Sequence, residues 1–157
     1  MNSRAPESLE TSVGFLITKA ARSVKRELDE RLTAYKVTST QFITLSVLWE
    51  GDGITLTELG RSLYFDNPTM TGIIDRLERD GLVERQRDTE DRRSVKVFLT
   101  NKGKRLQNKL TPIANEVNQI ALKTFSKKEK MNILSIFTQI WLNMNRDTTK
   151  GIKNDQR

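Results

Sequence analysis

The stretch that decides the fold runs from residue 67 to residue 100 and reads NPTMTGIIDRLERDGLVERQRDTEDRRSVKVFLT. It opens with a predicted helix in which Asn67 is the N-cap and Pro68 takes the first helical position, where its missing N–H costs nothing. Gly81 is predicted to end this helix, because glycine adopts the left-handed conformation of a helix C-terminus without steric cost. The stretch therefore begins with a helix of defined start and stop.

Two short strands are predicted after this helix, over residues 82–87 and 94–99, and the polar sequence DTEDRR joins them. Before the helix, Thr55 and Glu58 form a T-x-x-E pattern that predicts the start of a short helix. Two helices with a short connection, followed by a strand pair, are typical of a winged helix-turn-helix. In such a module the helix suits the major groove of DNA, and the hairpin suits the minor groove or the phosphates.

Long amphipathic helices are predicted on both sides of this module. From residue 11 to about residue 32, apolar residues recur at spacings of three and four. Further helix caps are predicted at Thr38 with Gln41, at Thr100, and at Ser126 with Glu129. The module is too small to bury all of these apolar stripes, so we expect a second copy of the chain to cover them in a homodimer.

The expected fold class is mainly α with a small β-hairpin wing (α+β), a winged helix-turn-helix with N- and C-terminal dimerisation helices. We assign residues 1–35 to the N-terminal dimerisation helix and residues 36–100 to the DNA-binding lobe. Residues 101–147 are assigned to the C-terminal dimerisation helices, and residues 148–157 to a flexible tail.

The composition excludes several classes of function. The 157 residues contain no cysteine and no histidine, so we expect no disulfide, no thiol redox sensor, no metal site and no cofactor. The sequence lacks an assembled nucleophile and base and a glycine-rich phosphate loop, so we do not expect an enzyme. No apolar run reaches eighteen residues and the N-terminus lacks the apolar segment of a signal peptide, so we expect a cytoplasmic protein with no membrane partner.

The net charge of +7 is unevenly distributed along the chain. Residues 51–100 carry eight Lys/Arg against ten Asp/Glu, whereas residues 101–157 carry twelve against four. DNA binding would then depend on a few placed cations and should weaken with salt through counterion release. The low charge of the module leaves an alternative open, a winged-helix dimer that binds a partner protein without DNA specificity of its own. The C-terminal lysines are also compatible with a solvated helix face.

The order of these elements and the sequence LTELGRSLYFDNPTMTGIIDRLERDGLVERQRDTEDRRSVKVFLTNKG resemble the MarR family of bacterial transcriptional regulators. The resemblance covers roughly residues 10–145, and RLERDGLVER followed by D-x-x-D-R-R and V-x-L-T is similar to the family's wing signature. It implies a homodimer with entwined terminal helices that binds double-stranded DNA at a pseudo-palindromic operator, commonly as a repressor. It also implies that a small molecule, often aromatic and anionic, or an oxidant relieves repression.

The resemblance places DNA contacts on the helix that begins at Asn67 and on the wing. The residues expected to bind DNA are Asn67, Pro68, Thr69, Thr71, Gly72, Arg76, Arg85, Arg87, Arg92 and Arg93. Arg93 matches the arginine that relatives insert into the minor groove, where narrow A/T tracts have a strong negative potential. The wing is expected to be braced by Asp75, Asp88 and Asp91. Arg76 is open to the same bracing role, and Arg92 to that of a solvated turn residue.

The resemblance also implies an effector pocket between the dimerisation helices and the winged lobe. Lys19 and Arg22 lie about one turn apart on the first helix and would receive a carboxylate. An aromatic slot would be lined by Tyr35, Trp49 and Tyr64, with the alternative that Trp49 and Tyr64 are core residues. The peroxide-sensing branch of the family uses a cysteine in the first helix, where this chain has Gly14, so that branch is excluded.

Overall fold

The computed structural model describes residues 8–88 and 94–145, which form helices and a small antiparallel sheet. The elements follow the chain in the order α1 (Val13–Leu32), α2 (Ser39–Glu50), β1 (Ile54–Thr55), α3 (Leu56–Leu63), α4 (Asn67–Arg79), β2 (Val83–Arg87), β3 (Val95–Leu99), α5 (Asn101–Ala121) and α6 (Lys127–Met144). Short 3-10 turns flank α1 at Leu9–Thr11 and Thr33–Tyr35. The predicted mainly α class with a small β wing is confirmed.

The predicted capping boxes are also confirmed. In each box the Ser or Thr side chain accepts the backbone N–H three residues later, and the Gln or Glu side chain accepts the N–H of the cap residue. These pairs are Thr38 with Gln41, Thr55 with Glu58, and Ser126 with Glu129. Thr100 Oγ1 likewise accepts the Gly103 N–H at 3.1 Å, as its predicted capping role requires. These bonds satisfy amides that have no partner inside the first helical turn, so they define the helix starts locally.

The start of α4 differs from the prediction by one residue. The N-cap is Asp66 rather than Asn67, because Asp66 Oδ1 accepts the Thr69 N–H at 2.7 Å. Pro68 consequently lies one position further into the first turn than predicted. Asn and Asp cap helices about equally well, and the aspartate charge is further favoured by the positive end of the helix dipole.

The end of α4 is as predicted. Gly81 has a φ of 70°, the left-handed conformation that favours glycine. Its N–H binds the Glu78 carbonyl at 2.9 Å, and the Leu82 N–H binds the Leu77 carbonyl at 2.9 Å. This pair of bonds is a Schellman motif, which turns the chain sharply from α4 into β2.

The sheet has three strands in the order β1-β3-β2, and both neighbouring pairs are antiparallel. Strands β2 and β3 begin one residue later than predicted and end where predicted. Strand β1 was not predicted, because two residues are too short to show the alternation that identifies a strand. It pairs Ile54 with Val97 and leads directly into α3, so pairing of β1 attaches the start of the helix-turn-helix to the central strand β3.

The hydrophobic core holds α4 in place. The predicted inward residues of this helix are at most 1% exposed: Met70, Ile73, Ile74 and Leu77. They belong to one cluster with residues of the other elements, including Leu32, Leu45, Leu48, Leu59, Val83, Val97 and Leu110. Because packing on several sides restricts the helix, its remaining face is presented to solvent in a defined orientation.

The chain divides into two compact units, Met1–Asn118 and Gln119–Arg157, and the buried core belongs to the first. In the second unit none of the residues of α6, all of which are described, is buried. Its exposed apolar side chains include Met131, Leu134, Ile136, Phe137 and Trp141. In the first unit, α1 exposes Val13, Phe15, Leu16 and Val24.

Within residues 8–88 and 94–145, no helix is both long enough and apolar enough to cross a bilayer.

Candidate nucleic-acid interface

Helix α4 presents a polar face to solvent opposite its buried residues. Gly72 is half-buried on this helix, and the other residues predicted there to contact DNA are exposed: Asn67, Pro68, Thr69, Thr71 and Arg76. Threonine and asparagine side chains offer donors and acceptors to phosphates and base edges, and Arg76 adds a positive charge. The structure thus brings these residues together on one open helix face.

A tight turn between α3 and α4 fixes the angle at which this face is held. The Phe65 N–H binds the Gly60 carbonyl at 2.9 Å. A Cβ atom on Gly60 would lie 2.8 Å from the Phe65 carbonyl oxygen, so only glycine allows this approach. Between them Tyr64 adopts the left-handed conformation with a φ of 57°.

Arg85 on strand β2 joins the wing to α4. Its Nη2 atom lies 2.6 Å from Asp75 Oδ1, and its Nη1 atom donates to the Glu78 carboxylate. The Arg85 backbone N–H donates to the same Glu78 carboxylate at 3.0 Å. Burial disfavours the charged guanidinium, but the hydrogen bonds to Asp75 and Glu78 outweigh it and raise the pKa of Arg85 above its ordinary value. The side chain is 23% exposed, so this cation is largely engaged inside the protein.

The partners of Arg85 include one residue that the sequence prediction missed. Asp75 was expected to brace the wing, and it contacts Arg85. Glu78 was not singled out, although it lies three residues after Asp75 and therefore on the same side of the helix. The three-residue spacing of Asp75 and Glu78, with an arginine in the following strand, was the sequence signal that could have identified Glu78 as a partner of Arg85.

The described part of the hairpin contains a second ion pair. Asp88 Oδ2 lies 2.7 Å from Lys96 Nζ, and the Asp88 N–H donates to the Ser94 carbonyl at 3.0 Å. The carboxylate of Asp88 therefore joins the ends of β2 and β3. Arg87 is exposed on β2. Three predicted site residues lie outside the described residues: Asp91, Arg92 and Arg93.

The residues predicted for an effector pocket are only partly brought together. Lys19 and Arg22 line one cavity of about 550 Å³, whose lining residues all come from α1. Tyr35, which is 38% exposed, and the two other aromatic residues do not line it. Trp49 packs against the core, and its ring centroid lies 5.9 Å from that of Phe42. Its Nε1–H donates to the Gly103 carbonyl oxygen at 3.1 Å.

The alternative prediction, that Trp49 and Tyr64 are core residues, is therefore correct for Trp49 and wrong for Tyr64. The Tyr64 side chain is 51% exposed at the end of α3. Its contribution to the fold lies in the left-handed backbone of the turn, a conformation that the sequence pattern did not indicate because tyrosine seldom adopts it.

Comparisons with known proteins agree with this architecture. The model of the MarR family matches residues 37–95. The organic hydroperoxide resistance transcriptional regulator of Bacillus subtilis is 33% identical over 109 residues, which are 69% of this chain and 74% of that relative. The HTH-type transcriptional regulator TtmR of Methylorubrum extorquens is 33% identical over 126 residues, which are 80% of this chain but only 65% of the longer relative.

Solved structures with the same fold include a MarR transcriptional regulator from Methanosarcina mazei. It is 34% identical, with a TM-score of 0.77 over 84% of this chain and 97% of the other. The S. aureus MepR–DNA complex is 25% identical, with a TM-score of 0.79 over 84% of this chain and 98% of the other. A structure on the regulation of DNA binding of Bordetella bronchiseptica BpsR by 6-hydroxynicotinic acid is 25% identical, with a TM-score of 0.81 over 87% of this chain and 97% of the other.

Proposed function

This chain belongs to the MarR family of transcriptional regulators, and on that premise we propose that it is a homodimeric DNA-binding repressor of a pseudo-palindromic operator. In each protomer α4 enters the major groove and the hairpin after β2 reaches the minor groove. The observation that carries the proposal is the open polar face of α4, which is held on one side by the core and joined to the wing through Arg85. A rigid helix with exposed polar side chains is suited to contacting base edges.

The proposed DNA contacts fall into two groups. On α4 they are Asn67, Pro68, Thr69, Thr71, Gly72 and Arg76, and in the hairpin they are Arg87, Arg92 and Arg93. Arg85 has a different role in this proposal, because its guanidinium already binds two carboxylates. It orients the hairpin relative to α4 together with Asp75 and Glu78, and Asp88 and Asp91 act as bracing residues within the hairpin.

The proposed dimer rests on the apolar faces of the terminal helices. Residues such as Phe15 and Leu16 on α1 and Leu134 and Phe137 on α6 are exposed in the single chain. A second copy would remove this apolar surface from water, and a two-fold dimer would present two copies of α4 to two half-sites.

We propose a small aromatic anion as the effector. BpsR, one of the structural neighbours, is regulated by 6-hydroxynicotinic acid. In this chain Lys19 and Arg22 line the cavity on α1 and supply the positive charge that a carboxylate requires. A response to organic hydroperoxides, which the name of the B. subtilis relative mentions, is not proposed through a thiol because this chain has no cysteine. We assign no catalytic step to the protein.

The first test measures DNA binding by gel shift with the native upstream region and with random DNA, at two salt concentrations. The regulator proposal predicts tighter binding to the native region and weaker binding of both DNAs at high salt. If the protein binds neither DNA at low salt, the regulator proposal is wrong. The alternative, a winged-helix dimer that binds a partner protein, would then remain.

The Arg93→Ala variant tests the wing. We expect a loss of operator affinity of roughly tenfold or more, since one placed arginine contributes about 1–3 kcal/mol, with the dimer unchanged in sedimentation equilibrium. Lys127→Ala, which removes one charge from the exposed first turn of α6, is the matched control and should leave affinity unchanged. Unaltered affinity in Arg93→Ala, or loss of its dimer, would show that the wing assignment is wrong.

A further inference from the structure

A polar groove lies beside α4 at the start of the DNA-binding lobe. It has a volume of about 640 Å³ and is formed by the end of α1, the segment that leads into α2, and α4 itself. Thr69, Ile73 and Arg76 contribute the α4 side. These residues are spaced four and three apart, so they form one stripe along the helix.

This stripe is not the one that contacts the wing. Asp75 and Glu78 meet Arg85 of strand β2, whereas Thr69, Ile73 and Arg76 border the groove. The open face of α4 is therefore flanked by the wing on one side and by the groove on the other. A helix in the major groove has a sugar-phosphate backbone on each side of it, so each flank is placed to meet one of them.

The groove has an excess of positive charge. Its lining cations are Lys25, Lys36 and Arg76, and its lining carboxylate is Asp29. Lys25 Nζ lies 2.6 Å from Asp29 Oδ2, so these two charges compensate each other. Burial acts to raise the pKa of Asp29, but hydrogen bonds from Lys25 and from Ser39 lower it, which keeps the carboxylate ionised. Within residues 8–88 and 94–145, Lys36 and Arg76 have no ion-pair partner.

An anion in this groove would be bound by side chains, because two backbone N–H groups at the start of α2 are already hydrogen-bonded within the protein. The Ser39 N–H already binds Asp29 Oδ1 at 2.6 Å, and the Gln41 N–H binds Thr38 Oγ1 at 3.2 Å. The exposed Lys36 is the cation left to the groove alone, since Lys25 is already paired with Asp29 and Arg76 also belongs to the proposed contacts of α4. Its backbone is left-handed with a φ of 56°, a conformation that disfavours a residue with a Cβ atom.

We propose that this groove binds the DNA sugar-phosphate backbone on the side of α4 opposite the wing, with Lys36 as its principal phosphate contact. The inference rests on the proposed DNA-binding function and extends the interface from α4 and the wing to the segment between α1 and α2. Phosphate is the ligand chemistry that fits two cations with no ion-pair partner in the described part of the chain, beside a threonine-lined helix start. Because phosphates are present at every step of the duplex, this contact adds affinity on operator and random DNA alike.

The test is the Lys36→Gln variant, titrated with operator and random DNA at several salt concentrations between 50 and 200 mM. Removing one phosphate contact should reduce the slope of log K against log salt by about one for each protomer bound. Affinity at 100 mM salt should fall by at least fivefold, by a similar factor on both DNAs. Lys36→Arg retains the charge and should bind with nearly the wild-type slope.

Lys123→Gln is the matched control, because it removes one exposed lysine from the turn before α6. Its salt slope should equal that of the wild type. An unchanged slope in Lys36→Gln, or the same change in Lys123→Gln, would overturn the groove proposal while wild-type binding still supported the regulator. Absence of wild-type DNA binding would instead refute the proposed function itself.

Discussion

Arginine residues close together in the sequence occupy different environments in the fold. Arg85 and Arg87 are both on β2, two residues apart, so both side chains lie on the same side of the strand. Arg85 reaches the carboxylates of Asp75 and Glu78 on α4, whereas Arg87 is exposed. A guanidinium held by two carboxylates is poorly available to a phosphate, because an incoming anion would meet their negative charge. We therefore expect Arg85 to contribute to stability and Arg87 to contribute to DNA binding.

We predict that Arg85→Gln lowers the free energy of unfolding by about 1–2 kcal/mol, because it leaves two carboxylates close together without their cation. Arg87→Gln should change stability by less than about 0.5 kcal/mol, as is usual at exposed positions. It should nevertheless weaken DNA binding and reduce its salt dependence. Urea denaturation and DNA titration of both variants separate the two roles. Equal stability of the two variants would contradict the bracing role of Arg85.

At the scale of the element, the N-terminus of α4 is defined by a charged cap. Hydrogen bonds from the Thr69 hydroxyl and from its backbone N–H hold the pKa of Asp66 below its ordinary value. A carboxyl whose pKa is lowered by folding stabilises the native state at pH values above its unfolded pKa, near 4. That contribution is lost as the pH falls through the lower pKa of the folded state.

The Asp66→Asn variant isolates this effect, since asparagine caps helices about as well as aspartate but does not titrate. We predict that the stability of the wild type relative to Asp66→Asn decreases as the pH is lowered from 6 to 3. Thermal unfolding of both proteins across this range measures the difference. Asp66→Ala, which cannot cap, should be less stable than the wild type at pH 6. Parallel pH profiles for the wild type and Asp66→Asn would show that the cap does not depend on the charge.

At the scale of the whole molecule, both terminal helices α1 and α6 expose large apolar side chains. Phe137 is 49% exposed and Leu134 is 64% exposed on α6. Several large apolar side chains exposed on one helix are uncommon on a monomer and indicate an interface. On this basis the terminal helices are the proposed dimerisation elements.

We predict that Phe137→Glu weakens dimerisation by at least tenfold, because it would place an unpaired charge in an apolar interface. Sedimentation equilibrium measures the change, and circular dichroism should show unchanged helix content. Ser135→Glu adds the same charge at an exposed polar position of α6 and should leave the dimer intact. A monomeric wild type, or equal effects of the two variants, would contradict the proposed interface.

Most of the elements were predictable because the interactions that define them are local. Each capping box closes within three residues, and the Schellman motif at Gly81 spans the last turn of α4. The position of the α4 cap was missed by one residue, since Asp66 and Asn67 are both good caps and only the backbone geometry distinguishes them. Strand β1 was missed because its two residues have no periodicity; they are a strand only through pairing with β3.

The sequence by itself determined the mainly α class, the helix-turn-helix followed by a strand pair, and the set of residues on the open face of α4. These follow from caps, glycine conformation and apolar periodicity, which act over one or two turns of the chain. Only the tertiary structure decided that Arg85 binds Asp75 and Glu78, that Trp49 reaches Gly103, and that Lys36 and Arg76 border the same groove. Those contacts join residues separated along the chain, and they depend on how the elements pack around the core, which no local pattern specifies.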